Sequence, residues 1–198
     1  ENAILRIPGT GFSASGPLLL THWGCSGPAT LKLSSYAARY LADNAYHCRV
    51  AVSWLGDDNE DRVREAVQGL VRNGGGKLCS SLYPETLTAR LWAHILKRAA
   101  LRDDMRWSEL GRKGINRLTS VLAGDVYDVR GKSRFKEEFV TCGGVALSEI
   151  NMNTMESRRH PGLYFAGEVL DVDAITGGFN LQAAWSMGWC IAKALSRV

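Results

Sequence analysis

The chain has 198 residues, is 45% apolar and carries a formal net charge of +4. That length holds one large domain or two small ones with a real core, and no apolar run reaches the roughly 18 residues of a membrane-spanning helix. The five cysteines and four histidines are scattered, with no CxxC pair, which excludes a disulfide framework and a zinc site and points to reduced thiols in a cytoplasmic protein.

The start, Glu1-Asn2-Ala3-Ile4-Leu5-Arg6, has neither the basic nor the apolar region of a signal peptide. It lacks an initiator Met, so the expectation is a piece of a longer chain. Charge is uneven. Residues 139–198 hold 4 basic and 5 acidic residues, hence −1, which leaves +5 for the rest. Residues 97–136 hold 11 basic against 5 acidic. That stretch is either a solvated helical surface, the plainer reading, or an anion- or nucleic-acid-binding module.

Residues 1–22 read as extended, with a strand at Ala3–Ile7 and a buried strand at Leu18–Thr21. Gly9 to Ala14 spells G-x-G-x-x-A, but Pro8 precedes it and Gly16-Pro17 follows where a helix would grow, so it is not a nucleotide loop. Ser26-Gly27-Pro28 starts a helix to about Asp43, with Ser26 as N-cap and Pro28 in the first turn. His22, beside that start, reads as structural before it reads as a ligand contact. Tyr46–Leu55 alternates as a strand.

From Gly56 to about Gly124 the chain reads helical. One helix carries Val63, Val67 and Leu70 on a face and ends at Asn73-Gly74-Gly75-Gly76. The glycine run follows a helix and lacks a Lys-Ser/Thr, so a C-cap outweighs a phosphate cradle. Pro84 opens a second helix, and a third spans about Ser108–Leu122. Strands return at Val126–Val129 and Glu138–Thr141, with a β-type segment at Thr154–Arg158.

The richest stretch is Gly162-Leu163-Tyr164-Phe165-Ala166-Gly167-Glu168, running to Thr176-Gly177-Gly178-Phe179-Asn180. It reads as a buried strand, a loop, and a helix from about Leu181 to Leu195. Glycines before a helix N-terminus let a ligand approach the backbone closely, and the helix end favours an anionic group. Strand, glycines and helix start form the layout of a cofactor site in an α/β sheet.

Thr154 to Glu168 resembles the second flavin motif of flavoproteins with two dinucleotide domains. The run Gly167 to Gln182, with Gly16 to Ala29 and Val140 to Val145 in the same order, resembles the BaiN/YhiN-type (aminoacetone-oxidase-like) NAD(P)/FAD-dependent oxidoreductases. The resemblance implies an α+β chain. Residues 1–138 would be an inserted domain, with a split β-barrel over about 1–55 and 124–138 and a helical subdomain over about 56–123. Residues 139–198 would be the C-terminal strand-and-helix part of an FAD-binding α/β domain.

It also implies FAD bound by Gly143, Gly144, Gly167, Glu168, Gly177, Gly178, Phe179, Asn180 and Leu181, with Glu168 on the ribityl hydroxyls. Phe179 stands where the family more often has Tyr. Metal ligands are not expected, and the residues name no acid, base or nucleophile. Cys142 reads as a packed thiol before a redox one. The strand–GxGxxG–helix unit that holds the FAD pyrophosphate is missing. The expected partner is therefore an N-terminal dinucleotide-binding half of the same protein, with NAD(P)H and a small molecule as further ligands. The chain alone is expected to be inactive and free of flavin. Nucleic acid is disfavoured, because no RNP, KH or helix-turn-helix signature occurs.

Overall fold

The structure is a computed structural model that describes residues 2–133 and 140–196. The chain is α+β and divides into two compact units: Glu1–Leu33 with Asn44–Lys132, and Ser34–Asp43 with Ser133–Val198.

The first unit is built on an antiparallel sheet of order β2-β1-β5-β6, formed by β1 (Asn2–Arg6), β2 (Ser13–Pro17), β5 (His47–Ser53) and β6 (Asp125–Arg130). Alternation fixes its faces: Ala3 and Leu5 of β1 and Ala14 of β2 are buried while their neighbours are not. Gly9 and Gly11 lie in the turn between β1 and β2, so the G-x-G-x-x-A letters mark a hairpin. Strands β3 (Leu19–Thr21) and β4 (Gly24–Ser26) form a separate ribbon. Its Leu19 and Leu20 are exposed, against the expected buried strand. The ribbon joins no further strand among the described residues, and the two neighbouring leucines alternate onto its two open faces.

Ser26 belongs to β4 rather than capping a helix. The expected single helix to Asp43 is two, α1 (Pro28–Tyr36) and α2 (Ala38–Asp43), broken at the fully buried Ala37. The weak helix formers Ser34 and Ser35 precede the break.

Three helices follow in this unit, the last packed on the sheet and the other two packed on that last helix. Asn59 caps α3 (Glu60–Gly74) by accepting from the backbone N–H of Asp61 and Arg62. Helix α4 (Ala89–Arg98) starts later than Pro84, because Thr88 supplies the N-cap oxygen and Pro84–Leu87 closes into a turn. Helix α5 (Gly111–Gly124) follows a 3₁₀ turn at Trp107–Glu109. Val63 and Val67 of α3 pack toward α5, whose Leu118 and Leu122 are fully buried. Trp92 and Trp107 stack with ring centroids 6.3 Å apart. Gly75 is the C-cap of α3, with φ +48°. Gly74 has another reason to lack a side chain: a Cβ there would stand 2.2 Å from Trp107 Cδ1.

One polar cluster lies inside this unit. Asp125 is buried and accepts from Trp54 Nε1 (3.4 Å), Tyr127 Oη (2.5 Å) and the Arg98 guanidinium (2.9 and 2.5 Å). Arg98 also lies 4.9 Å over the Tyr127 ring. Burial, then the bond to Asp125, pushes the Tyr127 hydroxyl well above its ordinary value. The cluster ties α4 to β6, where a bare carboxylate would be costly.

The second unit has a small core of Ile150, Met155 and Leu170, against which Phe165, Met187 and Ile191 pack. Ile150 and Met155 flank the hairpin of β7 (Ile150–Asn151) and β8 (Glu156–Ser157). The expected strand at Leu163–Phe165 is only a bridge: Ser157 N–H donates to Leu163 O and Phe165 N–H to Met155 O. Leu163 is exposed. Helix α6 (Phe179–Leu195) closes the unit. Of the strand expected at 138–141, residues 138 and 139 lie outside the described residues, as does the 138/139 boundary. Val140 and Thr141 carry no strand. Among the described residues no helix is long and apolar enough to cross a membrane.

Candidate functional site

Five of the nine site residues expected from sequence, Gly177, Gly178, Phe179, Asn180 and Leu181, lie at the start of α6. Gly177 (φ +137°) and Gly178 (φ +95°) lead into it, and nothing lies within 4 Å of where their Cβ atoms would stand. Gly178 is the N-cap and supplies no side chain, so the first-turn N–H groups keep no side-chain acceptor. Phe179 and Leu181 are exposed on that first turn.

Glu168 sits not at a strand end but in a 3₁₀ turn, Gly167–Val169. Its side chain is exposed and makes no hydrogen bond or ion pair among the described residues. Gly167 donates its N–H to the Met187 sulfur at 3.3 Å and lies against Ala184, which fixes this turn on α6.

Two of the nine expected residues carry a structural task. A Cβ on Gly144 would lie 2.6 Å from the Leu170 carbonyl carbon and 2.7 Å from Val169 O, so only glycine lets residues 143–145 run beside residues 169–171. That contact is tied by Val145 N–H to Val169 O (2.9 Å) and Asp171 N–H to Val145 O (3.0 Å). The Asn180 side chain is spent on the backbone of Ala174. Gly143 (φ +109°) has open space where a Cβ would be.

Sequence reasoning missed Arg39. Its Nη2 meets both carboxylate oxygens of Asp171, at 2.8 and 2.6 Å. Asp171, and after it Cys142, holds the Arg39 proton more tightly than usual. No local pattern could show a pair 132 residues apart. Among the described residues no cluster of His, Cys, Asp and Glu could hold a metal ion.

The chain is α+β, and its glycine-led helix start has no side-chain cap. The model of the HI0933-like protein Rossmann domain matches residues 6–194. The chain belongs to that family.

The curated relatives agree. The chain is 34% identical over 180 residues to a ribosomal RNA dihydrouridine synthase of Escherichia coli (strain K12), covering 90% of this chain and 42% of that protein. A protein of the same name from Haemophilus influenzae is 31% identical, over 94% of this chain and 44% of its own length. A 3-dehydro-bile acid delta(4,6)-reductase of Clostridium scindens is 28% identical, over 91% and 44%. The chain spans less than half the length of these relatives.

Proposed function

We propose that the chain is the C-terminal part of a BaiN/YhiN-type flavin-dependent oxidoreductase, and that its second unit forms one wall of the FAD site. The observation that carries this is the open, positive-φ pair Gly177-Gly178 heading a 17-residue helix with no side-chain cap. Such a start offers N–H groups and a positive dipole end to an electron-rich ring.

Glu168, exposed and unpaired, would accept from the ribityl hydroxyls. Gly143, Gly167, Gly177, Gly178, Phe179 and Leu181 would lie along the flavin, while Gly144 and Asn180 hold the geometry behind them. Bound FAD would supply hydride transfer. A dihydrouridine synthase and a delta(4,6)-reductase are both named for adding hydrogen to an unsaturated substrate, and that chemistry suits this reading. On it, residues 1–138, apart from the Ser34–Asp43 segment that belongs to the second unit, are the inserted domain, NAD(P)H is the reductant, and the rest of the protein supplies the pyrophosphate cradle.

The test uses the longer protein. Glu168→Ala should lose a charge-assisted acceptor, roughly 1.5–3 kcal/mol or about ten- to a hundredfold in FAD affinity. Gly178→Val should lose at least as much, since a branched residue is strained at that φ. Unchanged FAD affinity with a lowered melting temperature would mean that these residues hold the fold and not the flavin.

A further inference from the structure

We propose that Cys142 is a thiolation site, at which the sulfur forms mixed disulfides with low-molecular-weight disulfides of the glutathione class. Against the packed thiol expected from sequence, Cys142 is exposed. It stands beside an ion pair of the same unit. Asp171 holds Arg39, on α2, through both carboxylate oxygens at 2.8 and 2.6 Å, and the Arg39 guanidinium also bonds the Cys142 sulfur. The backbone brings these groups together. Residues 143–145 run beside residues 169–171 through Val145 N–H to Val169 O (2.9 Å) and Asp171 N–H to Val145 O (3.0 Å). Cys142 and Asp171 are thus carried on neighbouring segments, and Arg39 reaches both. Arg39 keeps 70% of its side chain in water, so a carboxylate of an incoming glutathione disulfide can approach the same cation.

A guanidinium at an exposed sulfur favours the thiolate, which is the nucleophile in disulfide exchange. The Cys142 sulfur attacks one sulfur of glutathione disulfide. The new S–S bond forms as the old one breaks, and the departing glutathione thiolate takes a proton from water. Cys142 is oxidised, and one half of the disulfide is reduced. The other four cysteines are less suited. Cys79 is buried, and burial pushes its thiol up to about 11. Burial raises the Cys48 thiol too. Cys190 packs on the core of the second unit. Cys25 is exposed, but the protein around it pushes its thiol above the ordinary value. Exposure and a bonded guanidinium coincide at Cys142.

The reaction needs no flavin, so its failure leaves the FAD reading untouched. The 198-residue chain is incubated with glutathione disulfide at neutral pH, and the modified fraction at each cysteine is followed by peptide mass spectrometry. Cys142 should react about tenfold faster than Cys25, the other exposed thiol. Arg39→Ala should slow Cys142 about fivefold and leave Cys25 within about twofold of its rate. Arg39→Gln, which can still donate to Asp171 but carries no charge, should slow Cys142 as much. Cys190 reports on the second unit, because it stays slow while that core is packed. If Arg39→Ala speeds Cys190, the unit has loosened, and Arg39→Gln decides. Equal rates at Cys142 and Cys25 would overturn the proposal, and so would a Cys142 rate that Arg39→Gln leaves unchanged.

Discussion

The side-chain amide of Asn180 exchanges two hydrogen bonds with the backbone of Ala174, accepting from its N–H at 2.8 Å and donating to its carbonyl at 3.0 Å. The first turn of α6 thus clasps the loop that precedes it. Gly177 and Gly178 lie inside this closure, so their exposed backbone is held in place by the Asn180 side chain.

Replacing Asn180 with Ala removes both bonds. At about 0.5–1.5 kcal/mol for each part-buried neutral bond, the loss should be roughly 1–2 kcal/mol in urea unfolding. Asn180→Asp keeps the acceptor and loses the donor, so it should fall between. Cleavage by a nonspecific protease should move to residues 174–180 in the Ala variant. Wild-type stability and an unchanged cleavage pattern would show that the clasp holds nothing.

Neighbouring glycines should respond differently to the same change. Gly143→Ala meets open space and only a strained φ, a cost of about 1–2 kcal/mol. Gly144→Ala meets backbone at 2.6 Å that cannot swing aside, and should cost about 1–3 kcal/mol more. Thermal melts of the two variants decide it. If the two are equally stable, residues 143–145 do not need to run so close to residues 169–171.

Asp125→Asn tests the cluster in the first unit. The carboxylate accepts from three side chains, and an amide would turn a donor toward one of them. A fully buried broken pair costs about 3–5 kcal/mol. Arg98 keeps 41% of its side chain in contact with water, so about 2–3 kcal/mol is expected, read as a shift in urea midpoint. A loss under about 0.5 kcal/mol would mean that water already compensates the carboxylate.

Much of the fold was legible because local pattern decides it. The face of α3 at Val63 and Val67, its glycine end, the strand at β5, and the glycine-led α6 follow from period and caps alone. What was not legible depends on partners far along the chain. Leu19 and Leu20 look like a core strand, yet pair only within a ribbon. Leu163–Phe165 has strand chemistry but gains only a bridge to β8. The site divides the same way. Gly177 and Gly178 announce an unusual backbone, but nothing local tells that Asn180 serves Ala174, that Gly144 serves Leu170, or that Arg39 reaches Asp171.

Helix α6 poses the last test. Leu181, Trp185 and Trp189 lie one turn apart, and 64%, 72% and 70% of their surfaces are exposed. Met187, Cys190 and Ile191, on the other side of the helix, pack on the core of the second unit. A stripe this apolar is built to be covered. Burying each indole would contribute about 3 kcal/mol. On the reading above, the rest of the longer protein covers it. The 198-residue chain should therefore bind a hydrophobic dye and self-associate in sedimentation velocity. Trp185→Lys with Trp189→Lys should suppress both without lowering the melting temperature, since neither ring supports the core. If the double variant instead melts well below the parent, the stripe is part of the fold's own packing, and α6 is not an interface.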